Sequence, residues 1–147
     1  MKNENSISIH ARRGDYVNNS VYHGISSLAY YKKVIEYIKG TVDDPIFYVF
    51  SNDTLLVKEN LEVETKEVTY VDWNNNESSY RDLQLMSNCK YNIIANSSFS
   101  WWGAFLNSNI NKIVISPLKW NNLLVDGEKT VILKEKWVKI DRYGVMH

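Results

Sequence analysis

The sequence predicts an α/β fold, a mostly parallel sheet with helices on both faces, on three observations. Short apolar runs rich in β-branched residues recur along the 147 residues. Between them stand stretches with apolar residues at three- and four-residue intervals, and the strand-then-helix unit repeats about every 20 to 25 residues. Several runs are apolar without alternation, the pattern of a strand covered on both faces. No internal repeat and no linker divides the chain, so residues 1–147 are read as a single domain.

The first run, Ile7-Ser8-Ile9-His10, suits a short strand and leads into the charged loop Arg12-Arg13-Gly14-Asp15-Tyr16. Leu28, Tyr31, Val34, Ile35 and Ile38 then mark one helical face, with Ser26 or Ser27 as N-cap and Gly40 past the end. Asp43-Asp44-Pro45 turns the chain into the uninterrupted run Ile46-Phe47-Tyr48-Val49-Phe50, a buried strand. Ser51-Asn52-Asp53 supplies N-cap chemistry for a short helix over 55–61, and a third strand is expected over 66–71.

Asn74-Asn75-Asn76-Glu77 is too polar for core. Ser79 with Asp82 three residues later imitates a capping box and opens a helix with Leu83, Met86 and Cys89 on one face. Ile93-Ile94-Ala95 reads as a buried strand that stops at Asn96-Ser97-Ser98, and a helix follows with Phe99, Trp102, Gly103 and Leu106 on one stripe. Lys112-Ile113-Val114-Ile115-Ser116 is a further strand closed by Pro117, and the tail holds expected strands over 130–133 and 136–140.

Composition narrows the function. Seventeen Lys and Arg balance seventeen Asp and Glu, so there is no general electrostatic pull toward nucleic acid or an anionic membrane, and any basic site is local. Nucleic acid is not an expected partner. The lone Cys89 excludes an internal disulfide and a cysteine-based zinc site, and reads as a small buried apolar residue. No segment reaches the roughly 20 apolar residues of a membrane helix, and the polar start Met1-Lys2-Asn3-Glu4-Asn5 lacks the apolar centre of a signal peptide. A cytoplasmic location is therefore the expectation. The unusual quantity is the aromatic content, 19 residues or 13%, which calls for a structural reason.

In an open parallel sheet, ligands sit beyond the carboxyl ends of the strands. The polar segments that follow strands are thus the candidate site: residues 10–16, 51–53, 96–100 and 117–120. Arg12 and Arg13 leave the first strand, and a guanidinium there binds phosphate bidentately or simply forms a solvated basic turn. Ser97 and Ser98 open a helix, where hydroxyls and unbonded amides make an anion site or merely cap the helix. Asp82 lies in a first helical turn and either complements the macrodipole or accepts paired hydrogen bonds from the N1 and N2 edge of guanine. The glycine-lysine phosphate loop and the dinucleotide glycine fingerprint are both absent. His10, His23 and His147 have no metal-ligand spacing, and no metal site is assigned.

These motifs carry a resemblance. His10-Ala11-Arg12-Arg13-Gly14-Asp15-Tyr16, then Phe50-Ser51-Asn52-Asp53, then residues 82–90 with 92–104 resemble, in order and spacing, the motifs of the family 11 glycosyltransferases, the α-1,2-fucosyltransferases. The likeness spans about residues 7–140.

The resemblance implies a Rossmann-like three-layer α/β/α domain with a mostly parallel sheet, the C-terminal, donor-binding half of a two-domain (B-type) glycosyltransferase, with an inverting mechanism, GDP-fucose as donor and no catalytic metal or other cofactor. It implies that Arg12 contacts the donor β-phosphate as the principal catalytic residue, with Arg13 auxiliary and His10 lining the nucleotide. Asp82 and Ser98 keep the sixteen-residue separation of the guanine-binding aspartate and phosphate-binding serine in related enzymes. Asp82 is therefore expected on guanine, and Ser97, Ser98 and the Phe99 backbone on the diphosphate. The glycine-rich N-terminal, acceptor-side half of the family has no counterpart here, and is expected as a missing partner along with an oligosaccharide acceptor. A peripheral position at the membrane, where such glycans are assembled, is the matching expectation. No general base is assigned, because the region where related enzymes carry a glutamate reads Asn18-Asn19-Ser20. The alternative from another class is a non-catalytic nucleotide-sugar or carbohydrate-binding module.

Overall fold

The structure is a computed structural model that describes residues 4–11, 24–61, 63, 67–74, 76–123 and 132–147. Six strands and four α-helices are seen among them: β1 Ser6–Ala11, α1 Leu28–Thr41, β2 Ile46–Ser51, α2 Thr54–Asn60, β3 Val68–Val71, α3 Tyr80–Asn88, β4 Tyr91–Ile93, α4 Ser98–Leu106, β5 Val114–Pro117 and β6 Val138–Ile140. One sheet contains all six, in the order β3-β2-β1-β4-β5-β6, and each neighbouring pair is parallel. That is the doubly wound order in which the chain reverses its direction of travel across the sheet between β1 and β4. The predicted α/β class and parallel sheet are observed.

Burial explains the sequence pattern. Every residue of β1 is buried, because it lies mid-sheet with a layer on each side. On one face Ile7, Ile9, Phe47, Val49 and Ile93 belong to the cluster that takes in Tyr30, Val34 and Ile38 of α1. Full burial of each such apolar side chain stabilises by about 1.5–3 kcal/mol. The second helical layer is α3 and α4, where Met86 joins Phe50 and Val71, and Ala104 joins Ile94, Val114 and Trp137.

Several local expectations change. Ser27, not Ser26, is the N-cap of α1 and accepts from the Tyr30 amide at 3.1 Å. Gly40 lies inside the helix, which runs to Thr41 with Val42 as cap; a Cβ at Gly40 would meet open space, so nothing there demands a left-handed turn. Ser79 is helical and makes no side-chain capping bond, so the capping box with Asp82 does not form. Cys89 caps α3 in extended backbone instead of riding its face, and burial pushes its thiol up to about 12. Ile94 and Ala95 follow the strand rather than form it. Ile132 and Leu133 are not in a strand; the rest of the expected 130–133 strand lies outside the described residues.

The largest revision concerns α4. Its buried residues are Ser100, Gly103 and Ala104, while Trp102 and Leu106 are about half exposed at 48% and 53%. The reason is close approach. A Cβ on Gly103 would stand 2.9 Å from Met86 Cβ, so only small residues fit between α3 and α4, and the large ones turn outward. Trp101 stacks on Phe105 with centroids 5.0 Å apart, and Trp120 packs against the cluster holding Trp137. Much of the aromatic excess is thus side-chain packing around α4, although Trp73 stays exposed.

Two polar devices fix α4. Lys112 Nζ donates to the carbonyls of Ala104 and Asn107, both at 2.8 Å, placing a cation on the negative end of the helix. Asn107 Nδ2 donates to Asn92 Oδ1 at 2.7 Å and to the Cys89 carbonyl at 2.8 Å, while Asn92 Nδ2 donates to Ser8 Oγ and the Met86 carbonyl, each at 2.8 Å. This buried network joins β1, β4, α3 and the end of α4.

Candidate functional site

The parallel strands bring the ends of β1, β2 and β3 to one edge, and a cleft of about 590 Å³ opens there. His10, Ser51, Asn74, Asp82, Met86 and Phe99 contribute to its walls. His10 is buried in the last turn of the pleat, beside Phe50 in register. Tyr31 Oη on α1 donates to the His10 carbonyl at 2.8 Å, and Ser51 Oγ donates to the Ala11 carbonyl at 2.6 Å, which anchors the backbone where β1 ends. The His10 ring faces Phe99 with centroids 5.8 Å apart and a 48° tilt.

Asp82 enters the cleft from the first turn of α3. Asn74 Nδ2 donates to Asp82 Oδ1 at 2.7 Å. Burial raises the carboxyl above its ordinary range, and the Asn74 bond pulls it only partly back. A half-buried carboxylate in an apolar-floored cleft is a strong acceptor for a paired N–H edge.

At the reversal between β1 and β4, Asn96-Ser97-Ser98 lead into α4. Ser97 is the N-cap residue, buried and extended, but its hydroxyl makes no capping bond. Trp101 donates to the Ser97 carbonyl at 3.0 Å, so Ser98, Phe99 and Ser100 carry the first amides of the helix, ahead of any intrahelical partner. Ser98 is exposed. Asn96 does not cap the helix. Its amide donates to Ser26 Oγ at 3.2 Å, Ser26 Oγ donates to its Oδ1 at 2.9 Å, and its Nδ2 donates to the Trp120 carbonyl at 3.2 Å.

The structure therefore brings His10, Asp82 and Phe99 together on one cleft, and sets Ser97 and Ser98 at the adjoining start of α4 rather than on its walls. Arg12 and Arg13 follow Ala11 in sequence and lie outside the described residues. Asn74 is a site residue that the sequence did not reveal. It sits eight positions before Asp82 across a short 3-10 turn at Asn76–Ser78, and no periodicity links such positions. Among the described residues, no group of three His, Cys, Asp or Glu could hold a metal ion, and no helix is long and apolar enough to cross a membrane.

Comparison with known proteins identifies the family. Residues 1–141 match the model of glycosyl transferase family 11. The chain is 40% identical over 144 residues to the O-antigen biosynthesis glycosyltransferase WbnK of Escherichia coli, covering 95% of this chain and 46% of that protein. It is 39% identical over 147 residues to an alpha-1,2-colitosyltransferase of Escherichia coli, covering 94% and 48%. It is 27% identical over 103 residues to the galactoside alpha-(1,2)-fucosyltransferase 1 of Homo sapiens, covering 68% and 28%. The chain spans about half the length of the two bacterial relatives. No solved structure matches it.

Proposed function

The chain belongs to glycosyl transferase family 11, and from that premise we propose that it is the donor-binding domain of an inverting α-1,2-fucosyltransferase, taking GDP-fucose as donor and an oligosaccharide hydroxyl as acceptor. The observation that carries this reading is Asp82, oriented by Asn74, in a cleft it shares with His10 and Phe99 beyond the carboxyl ends of the strands.

Guanine presents adjacent N1 and N2 donors, and the Asp82 carboxylate accepts both. With the base held there, the diphosphate falls at the start of α4, where the Ser98 hydroxyl, the Phe99 amide and the positive end of the helix favour negative charge. Arg12, assisted by Arg13, neutralises the β-phosphate as it leaves. The acceptor oxygen bonds to fucose C1 from the face opposite GDP and gives up its hydroxyl proton to a base or to water, while the C1–O bond to the β-phosphate breaks and GDP takes the electron pair. The guanidinium supplies the leaving-group stabilisation, so the reaction needs no metal. No residue of this chain is assigned as the base. The acceptor-side half is the partner in this reading, and the chain alone is expected to bind GDP weakly and to transfer slowly or not at all.

Calorimetric titration with GDP tests the site. We expect binding by the wild-type chain and a loss of about tenfold or more in Arg12→Ala, the usual scale for a charged hydrogen-bond partner. Absence of binding by wild type, or equal binding by the variant, would sink the assignment. The relative named as a colitosyltransferase makes the donor sugar itself a variable, and competition between GDP-fucose and GDP-colitose decides it.

A further inference from the structure

Asn96 and Ser97 are the side chains best suited to cap α4, since asparagine and serine lead the N-cap preferences. Neither does so. Ser97 occupies the N-cap position without a side-chain capping bond. Asn96, only 2% exposed, is engaged elsewhere. Its Oδ1 accepts from Ser26 Oγ at 2.9 Å, its backbone amide donates to the same Oγ at 3.2 Å, and its Nδ2 donates to the Trp120 carbonyl at 3.2 Å. Ser100 Oγ also points back along the chain, accepting from the Ala95 amide at 3.3 Å.

The grip on Asn96 comes from the other helical layer. Ser26 stands immediately before Ser27, the N-cap of α1, and α1 and α4 cover opposite faces of the sheet. One turn further on, Tyr30 Oη donates to the Ile94 carbonyl at 2.7 Å. The start of α1 thus holds residues 94 and 96 together, across the crevice where the chain reverses between β1 and β4.

The consequence falls on three backbone amides. A capping side chain takes the amide two or three residues ahead of it. From Ser97 those are Phe99 and Ser100; from Asn96, with the helix begun one residue earlier, they are Ser98 and Phe99. These are the amides that have no intrahelical partner.

We propose that Ser26 is a positioning residue for the donor diphosphate: its hydroxyl holds Asn96 away from the head of α4 and so leaves the first amides of the helix to the ligand. The inference rests on the donor-binding role proposed above. A capping side chain and a bound anion compete for the same donors. Ser26 touches no phosphate in this arrangement. It acts through Asn96, and its removal is felt only while Asn96 is present.

The test compares GDP with guanosine, which keeps the base and lacks the phosphates, by ligand-observed NMR on the full chain. Ser26→Ala is expected to weaken GDP by about tenfold, the scale of one hydrogen bond to a charged group. Guanosine stays within about twofold of wild type, which also shows that the variant folds. Ser26→Cys, similar in size with a weaker donor, is expected to act in the same direction and serves if the alanine variant does not fold. In an Asn96→Ala background, Ser26→Ala is expected to change the ratio of GDP to guanosine affinity by less than about twofold. An unchanged ratio in both Ser26 variants, an equal loss for the two ligands, or the same tenfold effect in the Asn96→Ala background overturns the positioning role alone. Wild type that binds guanosine as tightly as GDP removes the diphosphate from α4 and overturns the proposal. Wild type that binds neither overturns the donor role and this inference with it.

Discussion

Gly103 of α4 packs so tightly on Met86 of α3 that a Cβ at position 103 would lie 2.9 Å from Met86 Cβ and 3.2 Å from its sulfur. The atom met first belongs to the rigid base of the Met86 side chain, so accommodation requires the two helices to separate. The same pair carries Asp82 and the Ser97-Ser98 segment, which links a packing contact to the geometry of the cleft.

Gly103→Ala is expected to destabilise the chain by about 1–2 kcal/mol, since overpacking of about 1–3 kcal/mol outweighs the helix-propensity gain of up to about 1 kcal/mol. Urea denaturation measures it. An unchanged midpoint would mean that the helices part freely.

Asp82→Asn separates binding from stability. The carboxyl is raised by burial, so the folded chain holds a proton at a pH where the unfolded chain has released it. Across that window stability falls as pH rises, whereas GDP affinity falls as pH drops through the raised pKa. Asparagine keeps an acceptor for Asn74 and cannot ionise. We expect a melting temperature at pH 7 no lower than wild type, GDP affinity reduced about 10- to 100-fold, and no pH dependence from this group. Titrations from below the ordinary aspartate value of about 3.9 up to neutral pH follow this group; a lower melting temperature with intact affinity would contradict the assignment.

Asn107→Ala strands the Asn92 amide oxygen and the Cys89 carbonyl in the interior. A cost of about 2–3 kcal/mol is expected, with Asn92→Ala similar and the double variant less than additive because both belong to one network. Additive losses in denaturant titrations would show that the two side chains act independently.

Legibility in the sequence followed range. The α1 face was readable because Tyr31, Val34, Ile35 and Ile38 recur locally and are all buried. Leu28 was the exception: it is 38% exposed, and Tyr30 is buried in its place because its hydroxyl donates to the Ile94 carbonyl at 2.7 Å, a partner 64 residues away. The motif residues His10, Asp82 and Phe99 were nameable from their order in the chain, yet Asn74, which orients Asp82, was not. The polarity of the 74–77 segment excluded it from the core and said nothing about which residue faced the cleft.

The succession of strands and helices, the family and the chemical identity of the groups near the strand ends are all legible along the chain, because each is written in neighbouring residues or in ordered motifs. Tertiary structure alone decided that β1 lies between β2 and β4, that Trp102 and Leu106 turn outward, and that Ser26 reaches Asn96. Those outcomes depend on which distant surfaces come into contact and how closely. The space left between Gly103 and Met86, or between Asn96 and the loops it joins, is a property of pairs that no local period records.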